Sequence, residues 1–352
     1  MSTPAPGPGP SGPSASSASR TPHVPLSILD LVPISEGMNA REAIGHSMRT
    51  AQLADRLGFR RYWFAEHHNT VSLASNATSL LIGQAAQLTE RIRVGSGGIM
   101  LPNHSPLSVI EQFGTLVQMH GERIDLGLGR APGTDPLTAQ LLARTSADPE
   151  AFIAAVEQMR DWSRTEQPTG LRIAAPVAEG TEVPMWILGS TANGAHLAGR
   201  LGMPFSVASH FSPFGFEQAL DTYRRTFDAD ADSAQITAPH AMVGVNVLVA
   251  PTDEEAQHLF TSAQQGFLGI LRGERTKVRP PRDLEGLADP VLLDKVDQTL
   301  SVRAVGSPET VVAQLESIVR ATGADELIVT GQVFDPAHRD RSHELLAQAW
   351  GL

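Results

Sequence analysis

The alternation of buried strands with helices constrains the fold of this 352-residue chain more than any other feature. Runs rich in β-branched and aromatic residues recur eight times, and most are followed by a segment of helical periodicity. Such alternation indicates a parallel α/β fold. Eight units over about 330 residues predict a (β/α)8 TIM barrel with insertions. The predicted strands cover residues 25–32, 61–65, 92–96, 123–128, 184–188, 204–208, 242–249 and 326–330.

The main competing fold is a doubly wound sheet. That fold usually carries a glycine-rich fingerprint after its first strand, whereas here the first strand runs into Val32-Pro33-Ile34-Ser35. The barrel is therefore favoured. The first helix begins at a capping box, Asn39-Ala40-Arg41-Glu42, and stops at Gly58. The predicted helices cover residues 39–57, 76–89, 106–119, 149–162, 191–201, 252–271, 308–322 and 337–350.

The chain is predicted to comprise one folded domain, residues 25–352, preceded by an extension. Residues 1–24 are rich in Pro, Ser and Gly and lack the apolar core of a signal peptide, so we expect them to be disordered. Residues 272–290 include Pro280-Pro281 and predict a loop insertion that is a candidate lid. The stretch 131–183 is longer and less regular than the other connections.

Composition excludes several classes of protein. The net charge of −11 and pI near 5.5 argue against a nucleic-acid-binding surface. No apolar stretch reaches the roughly 20 residues that span a bilayer, so no membrane association is expected. The absence of cysteine excludes disulfides, thiolate metal sites and a cysteine nucleophile. Cytoplasmic residence is the expectation that fits these properties.

A carboxylate, two imidazoles and an amide follow the second predicted strand, as Glu66-His67-His68-Asn69. Barrels of this kind carry their chemistry at the carboxyl ends of their strands. Histidine can transfer protons near neutral pH or donate a hydrogen bond to a developing oxyanion. Taken alone, an adjacent histidine pair more often packs at a strand end, so that interpretation stays open. A metal site is not expected, because the His-x-His of metal-dependent barrel hydrolases is missing from the first strand.

Glycine-rich turns follow the third and fourth predicted strands. Gly95-Ser96-Gly97-Gly98 would let a ligand approach the backbone closely, or would permit an unusual peptide geometry. An ordinary flexible turn is the alternative. Gly127-Leu128-Gly129-Arg130 clears space, and Arg130 could bind a phosphate through two hydrogen bonds. A solvated arginine at the start of a loop fits this pattern equally well.

The fifth and sixth predicted strands also end in polar turns. The turn 189–194 offers backbone N–H groups, hydroxyls and the positive end of a helix dipole, which favours an anion site; simple N-capping is the alternative. The turn after the sixth strand could place an imidazole beside a planar cofactor, although packing is equally compatible. All these turns together predict a pocket with a phosphate clamp, a glycine-lined floor and a histidine. The candidate ligands in these two turns are Ser190, Thr191, Asn193, Gly194, Ser209 and His210.

These segments resemble the bacterial luciferase-like superfamily of flavin-dependent oxidoreductases, and within it the group 1 luciferase-family monooxygenases. The similarity covers nearly the whole chain after residue 24. As an ordered set, the shared segments are highly specific. They are Trp63 to Asn69, Arg93 to Pro102, Gly127 to Gly133 and Val305 to Glu309.

The resemblance implies a luciferase-like TIM barrel that binds reduced FMN supplied by a separate flavin reductase. It implies that O2 adds to flavin C4a and that one oxygen atom passes to an organic small molecule. Epoxidation or hydroxylation in secondary-metabolite tailoring, such as antibiotic biosynthesis, is the expected reaction class. His67 matches the family's catalytic histidine, a base or a hydrogen-bond donor to the peroxide, and Asn69 is expected to assist it.

The same resemblance assigns the cofactor site. Gly97-Gly98, with Ser96, matches the position where relatives carry a non-proline cis peptide beneath the isoalloxazine, so a cis peptide is predicted there. Arg130 and the turn from Ser190 to Gly194 match phosphate-binding positions. Luciferase itself has a reactive cysteine where this chain has Gly129. This difference leaves more space and predicts a bulkier substrate than a long aldehyde, without light emission.

Two other functions are compatible with the same fold. One is hydride transfer with the deazaflavin F420, without oxygen. The other is a non-catalytic partner subunit, which the retention of His67 and the phosphate turn argues against. Family members commonly dimerise through the helices that follow strands two and three. The small-residue helix 76–89 suits such packing, so a homodimer is expected.

Overall fold

The computed structural model describes residues 23–142, 148–170, 172–274 and 276–352. These residues form a closed parallel barrel wrapped by helices, which confirms the predicted fold class. The strands are β1 (Leu26–Asp30), β2 (Arg61–Phe64), β3 (Arg93–Ser96), β4 (Ile99–Met100), β5 (Ile124–Gly129), β6 (Met185–Gly189), β7 (Phe205–Val207), β8 (Ala241–Val249), β9 (Arg303–Gly306) and β10 (Glu326–Thr330).

Closure of the barrel depends on the last strand. β10 lies between β1 and β8, and all of these pairings are parallel. Ile28 of β1 is in register with Val329, and Gly244 of β8 is in register with Ile328. The eight predicted strands correspond to the eight strands that form the closed ring, which are β1, β2, β3, β5, β6, β7, β8 and β10.

Two short strands were not predicted, and both lie outside the ring of eight. β4 has only two residues and pairs with β5 beyond the end of β3. β9 pairs with the second half of β8, beyond the point where β7 ends. Neither shows a clear period of two in the sequence. The register of each is set by the longer strand beside it.

Eleven α-helices and a 3-10 turn (Leu101–Asn103) surround the strands in the described part of the chain. All eight predicted helices are present, within about two residues at their ends. Helices α4, α7 and α9 were missed. The helices are α1 (Ala40–Leu57), α2 (Thr78–Leu88), α3 (Pro106–His120), α4 (Pro136–Leu141), α5 (Pro149–Ser163), α6 (Ala192–Arg200), α7 (Phe216–Thr226), α8 (Asp253–Leu271), α9 (Pro290–Thr299), α10 (Pro308–Thr322) and α11 (Pro336–Trp350).

Local capping explains where α1 begins and ends. The Asn39 side chain accepts a hydrogen bond from the Glu42 N–H, and the Glu42 carboxylate accepts one from the Asn39 N–H. Gly58 ends the helix at a φ of +93°, a left-handed conformation that favours glycine. The predicted capping box and helix stop are therefore confirmed. None of the described helices is both long and apolar enough to cross a bilayer.

The predicted N-terminal extension lies, up to residue 22, outside the described residues. Its last two residues contact the C-terminal helix. The His23 ring stacks on Trp350 with centroids 3.9 Å apart, and its Nδ1 donates to the Trp350 carbonyl. Trp350 Nε1 donates to the carbonyl of Val24 at 2.9 Å. The two ends of the barrel domain are therefore joined by direct contacts.

An ionic layer fills the base of the barrel, where the strands begin. Arg61 of β2 bonds Asp125 of β5 at 2.7 Å and Glu326 of β10 at 3.0 Å. Arg93 of β3 bonds the second oxygen of Asp125 at 2.6 Å. Burial opposes the ionisation of Asp125, but the two guanidinium groups outweigh burial and hold its pKa below the usual range. The layer therefore stays charged and paired inside the protein.

Two tryptophans form the next layer of the interior. The rings of Trp63 and Trp186 meet edge to face, with centroids 5.3 Å apart. Trp63 Nε1 donates to Asp125 at 3.1 Å, which joins this layer to the ionic one. Gly95 leaves the room for this contact, since a Cβ there would lie 2.9 Å from Trp63 Nε1. The two layers separate the base of the barrel from its mouth.

Replacing Arg61 with Met should strongly destabilise the protein. The substitution leaves Glu326 without its guanidinium partner and Asp125 with only one, and breaking a buried pair costs about 3–5 kcal/mol. Urea unfolding at pH 7 measures the loss. Arg200→Met removes an exposed pair with Glu150 and should cost less than about 1 kcal/mol. Equal losses in the two variants would contradict a structural role for the ionic layer.

Candidate active site

The predicted site residues gather at one end of the barrel, the mouth. Because the strands are parallel, the residues that follow β2, β3, β5, β6 and β7 leave the sheet at the same edge. Gly129 at the end of β5 is in register with Leu188 of β6. Arg130 therefore leaves β5 beside the turn that begins at Ser190.

The end of β3 packs closely against its neighbours at the mouth. The Gly97–Gly98 peptide bond is cis, as predicted. A Cβ on Gly97 would lie 2.7 Å from Leu29 Cδ1, and one on Gly98 would lie 2.7 Å from the Gly127 carbonyl oxygen. Only glycine leaves room for this approach.

Ser96 holds β3 to β5. Its hydroxyl donates to the Gly127 carbonyl at 2.8 Å and accepts from the Gly127 N–H at 2.9 Å. The side chain is buried, so any contact of this residue with a cofactor would come from its backbone. Ser209 is engaged in the same way, since its hydroxyl donates to the Gly244 carbonyl of β8 at 2.7 Å.

Two buried imidazole nitrogens lie at the mouth. The Nδ1 atoms of His67 and His210 have no hydrogen-bond partner among the described residues. Burial lowers the pKa of His67 although Glu66 opposes that shift. Burial, with a smaller contribution from His67, lowers the pKa of His210 to about 4. Both rings are therefore neutral near pH 7, and each can donate or accept a hydrogen bond depending on its tautomer.

Small residues of β8 make room for His210. A Cβ on Gly244 would lie only 2.4 Å from His210 Nδ1, so the imidazole rests directly on the strand backbone. Asn246 of β8 donates from its side-chain amide to the His210 carbonyl. The position of this histidine is thus set by the strand beneath it.

Glu66 organises the segment that follows β2. Its buried carboxylate accepts hydrogen bonds from His68 Nε2 at 2.8 Å, His104 Nε2 at 2.9 Å and the Met100 N–H at 3.0 Å. Burial raises the pKa of Glu66, but these donors outweigh burial and hold it below the usual range. Glu66 and His104 were not predicted as site residues. A carboxylate beside two imidazoles at a buried strand end needs partners, and that requirement was the available signal.

Asn69 braces the loop that follows β5. It is exposed and adopts a left-handed backbone with φ +52°, which Asn tolerates better than most residues. Its side-chain amide donates to Asp135 at 2.7 Å. The hydroxyl of Thr134 donates to the neighbouring His68 carbonyl at 3.2 Å. The structure thus places Asn69 in a loop contact beside His67.

The turn after β6 has the features of an anion site. Thr191 caps α6 by accepting the Gly194 N–H at 3.4 Å, so the N-capping alternative is realised. Asn193 is exposed, while Ser190 and Gly194 are half-buried. Capping does not compete with anion binding here, because the other free N–H groups and the dipole of α6 remain available at this end.

The space predicted at Gly129 is taken by a neighbour. A Cβ on Gly129 would lie 3.1 Å from Met100 Sδ. The side chain of Met100 therefore borders the position where luciferase carries its cysteine. A flexible thioether can adapt its shape to different ligands.

In the predicted lid, residues 272–274 and 276–289 form a loop, since Pro290 already begins α9. It contacts the segment that follows β1. Val278 exchanges backbone hydrogen bonds with Ile34 at 3.0 Å and Glu36 at 2.8 Å. Lys277 Nζ donates to the Met38 carbonyl at 2.5 Å. The loop therefore lies on the rim of the mouth.

In the part of the chain that the structure describes, no group of three or more His, Asp or Glu side chains is arranged to hold a metal ion.

Comparison with known proteins identifies the family. Residues 24–326 match the family of luciferase-like monooxygenases. The protein belongs to that family and is a monooxygenase-type oxidoreductase. It is 45% identical to a luciferase-like monooxygenase of Escherichia coli (strain K12) over 324 residues, 92% of this chain and 96% of the relative. It is 30% identical to N-acetyl-S-alkylcysteine monooxygenase of Bacillus subtilis (strain 168), covering 92% and 97%.

Comparison with solved structures gives the same family and fold. The crystal structure of apo-MsnO8 matches with a TM-score of 0.83 and 32% identity, over 94% of this chain and 99% of that one. Two more distant structures share the fold alone. The oxygenating constituent of 3,6-diketocamphane monooxygenase of Pseudomonas putida, solved with FMN, has a TM-score of 0.66 at 21% identity, covering 92% and 97%. An F420-dependent secondary alcohol dehydrogenase has 0.64 at 14%, covering 93% and 98%.

Stability should fall with acid because His210 is buried in its neutral form. Its pKa is about 4 in the folded protein, and about 6.5 is expected when unfolded. Below pH 6.5 the His210 imidazole binds a proton in the unfolded chain but stays neutral in the folded protein until the pH approaches 4. The contribution of His210 is therefore complete above pH 6.5 and falls by about 3 kcal/mol as the pH drops to 4. Urea unfolding between pH 7.5 and 4.5 measures it.

A variant comparison isolates that histidine. His210→Gln should reduce, but not abolish, the slope of the unfolding free energy against pH over this window, because other buried histidines remain. His258→Gln replaces an exposed histidine on α8 and should keep the wild-type slope. His343, whose pKa burial lowers to about 3, contributes with the same sign and remains in both variants. Identical slopes for His210→Gln and the wild type would refute the assignment.

Proposed function

We propose that the protein is an FMNH2-dependent, two-component monooxygenase that inserts one oxygen atom from O2 into an organic substrate. The observation that carries this proposal is the pair of neutral imidazoles at the mouth, His67 and His210, whose Nδ1 atoms have no partner among the described residues. Unpaired buried nitrogens are costly unless a ligand satisfies them.

The residues at the mouth fit a reduced flavin. The turn after β6 and Arg130 would hold the phosphate, because they combine helix N–H groups with a guanidinium. The closely packed end of β3, from Ser96 to Gly98, would support the flat ring system through its backbone. His67 and His210 would supply polar contacts at the edge of the ring system.

When bound, reduced FMN would supply the two electrons that activation of O2 requires. The protein's own contribution is proton control. Neutral His67 can donate or accept a hydrogen bond beside the reacting oxygen, and its low pKa keeps that option open near neutral pH. Glu66 and His68, the two neighbours of His67 in the chain, are held by hydrogen bonds. Glu66 accepts one from the His68 side chain and one from the Met100 N–H. Closure of the loop that carries Val278 over the rim would exclude water.

Relatives support an oxygenase over an F420-dependent hydride transferase. N-acetyl-S-alkylcysteine monooxygenase is 30% identical to this chain, whereas the F420-dependent dehydrogenase is 14% identical and shares the fold alone. Use of FMN is supported by the FMN complex of the 3,6-diketocamphane enzyme. We propose an organic substrate bordered by Met100, and epoxidation or hydroxylation in secondary metabolism.

Assembly belongs to the same proposal. We infer a homodimer through α2 and α3, on which the apolar side chains of Leu80 and Met119 are 75% and 65% exposed. A separate flavin reductase would deliver the reduced cofactor. Cytoplasmic residence would give the protein access to both.

Arg130→Gln should weaken the binding of reduced FMN by about tenfold or more, since a charge-assisted phosphate contact is worth about 1.5–3 kcal/mol. Anaerobic titration with FMNH2, followed by tryptophan fluorescence, measures the dissociation constant. Arg200→Gln makes the same change in charge on the exposed end of α6 and should bind like the wild type. If reduced F420 binds tightly and FMNH2 does not, the cofactor assignment is wrong.

His67→Ala should weaken FMNH2 binding by less than about tenfold, the loss of one neutral hydrogen bond, and lower substrate oxygenation about 100-fold or more, the range of general acid–base effects. The assay supplies candidate substrates, FMN, NADH and a flavin reductase, and quantifies oxygenated product by mass spectrometry. His258→Ala is the matched control on the surface. Wild-type product formation by His67→Ala would overturn this role.

A further inference from the structure

A second cleft opens at the base of the barrel, the end opposite the mouth. Its volume is about 690 Å³, which lies within the usual range of small-molecule sites. Residues at the starts of the strands form its floor, among them Arg61 of β2, Arg93 of β3 and Met185 of β6. Residues 235–240, which lead into β8, form one wall.

The basal cleft is cationic, although the chain as a whole carries a net charge of −11. Four guanidinium groups and two carboxylates line it. A third carboxylate, Glu326, is bonded to Arg61 at 3.0 Å. The lining groups are Arg60, Arg61, Arg93, Arg160, Asp125 and Glu182. An excess of positive charge inside a concave surface favours an anionic ligand.

Donors remain available after the internal pairs are formed. Arg61 commits Nε and Nη1 to its carboxylate partners, and Arg93 commits Nε and Nη2. Each guanidinium thus keeps its second terminal nitrogen. Arg60 has no ion-pair partner among the described residues, whereas His240 Nε2 lies 3.6 Å from Glu326, within ion-pair distance.

Polar and apolar side chains share the remaining lining, and the Trp186 ring among them is only 3% exposed. The Trp186 ring lies under the Arg61 guanidinium at 4.7 Å and meets the edge of His240 at 5.4 Å. Pro184, Ile236 and Pro239 complete this surface. Such a combination suits a ligand that has an anionic group at one end and a planar apolar body at the other.

We propose that the basal cleft is a second binding site, for a small organic anion with a planar apolar body, such as an aromatic carboxylate. The carboxylate would pair with Arg60 and Arg93, and the ring would lie against Pro184, Ile236 and Pro239. The ionic layer and the pair of Trp63 and Trp186 separate this ligand from the mouth. The site is therefore independent of the proposed flavin function.

Isothermal titration of the full-length protein with benzoate at low salt tests the proposal. A dissociation constant of about 0.1–1 mM is expected for a ligand of this size. Benzamide, which has the same shape without the charge, should bind at least about tenfold more weakly. Arg60→Gln should weaken benzoate about tenfold, because it removes a charge-assisted contact without disturbing the ionic layer.

The controls decide whether benzoate occupies this cleft. Arg320→Gln makes the same change in charge on exposed α10 and should leave the benzoate affinity unchanged. Saturating FMN should also leave it unchanged, because the two ligands would bind at opposite ends. Equal binding of benzoate and benzamide, an unaffected Arg60→Gln variant, displacement of benzoate by FMN, or no binding up to about 10 mM would each overturn the proposal.

Discussion

The buried pairing of Arg61 with Asp125 and Glu326 divides the molecule into two compartments. Three strands, β2, β5 and β10, meet in this one ionic contact, and Arg93 adds a fourth. Carboxylates this deeply buried are tolerated only when paired. Their pairing closes the base of the barrel. Asp125 also accepts a hydrogen bond from Trp63, which lies in the next layer. The mouth and the basal cleft are thus separate environments built on one set of strands.

The mouth is organised to keep net charge away from its two central imidazoles. His67 and His210 are neutral because burial penalises their charged forms. The adjacent carboxylate of Glu66 is charged, yet three donors, including His68 and His104, offset that charge locally. The proposed phosphate contacts, Arg130 and the α6 turn, lie on other strand ends of the mouth. This separation suits a ligand that is anionic at one end and neutral at its reactive end.

The sequence predicted the barrel because its strands and helices alternate with strong periodicity, and parallel geometry then brings the strand ends together. Contacts between residues far apart in the chain could not be predicted from the sequence. Nothing in the order of residues shows that His104 bonds Glu66, that Asn69 braces Asp135, or that the hydroxyls of Ser96 and Ser209 are engaged with neighbouring strands. α7 was missed because it begins after Gly215 without a side-chain cap, and β9 was missed because its pairing with β8 is a non-local contact.

The position of β10 between β1 and β8 has a consequence for synthesis of the chain. β1 cannot pair with β10 until residues near 330 have left the ribosome. The contact of His23 with Trp350 forms later still. Until then two parallel edges stay unpaired, and unpaired edges promote aggregation. The same strand carries Glu326, so the base is completed in the step that joins the ends. Closure of the barrel and burial of its charges are a single late event.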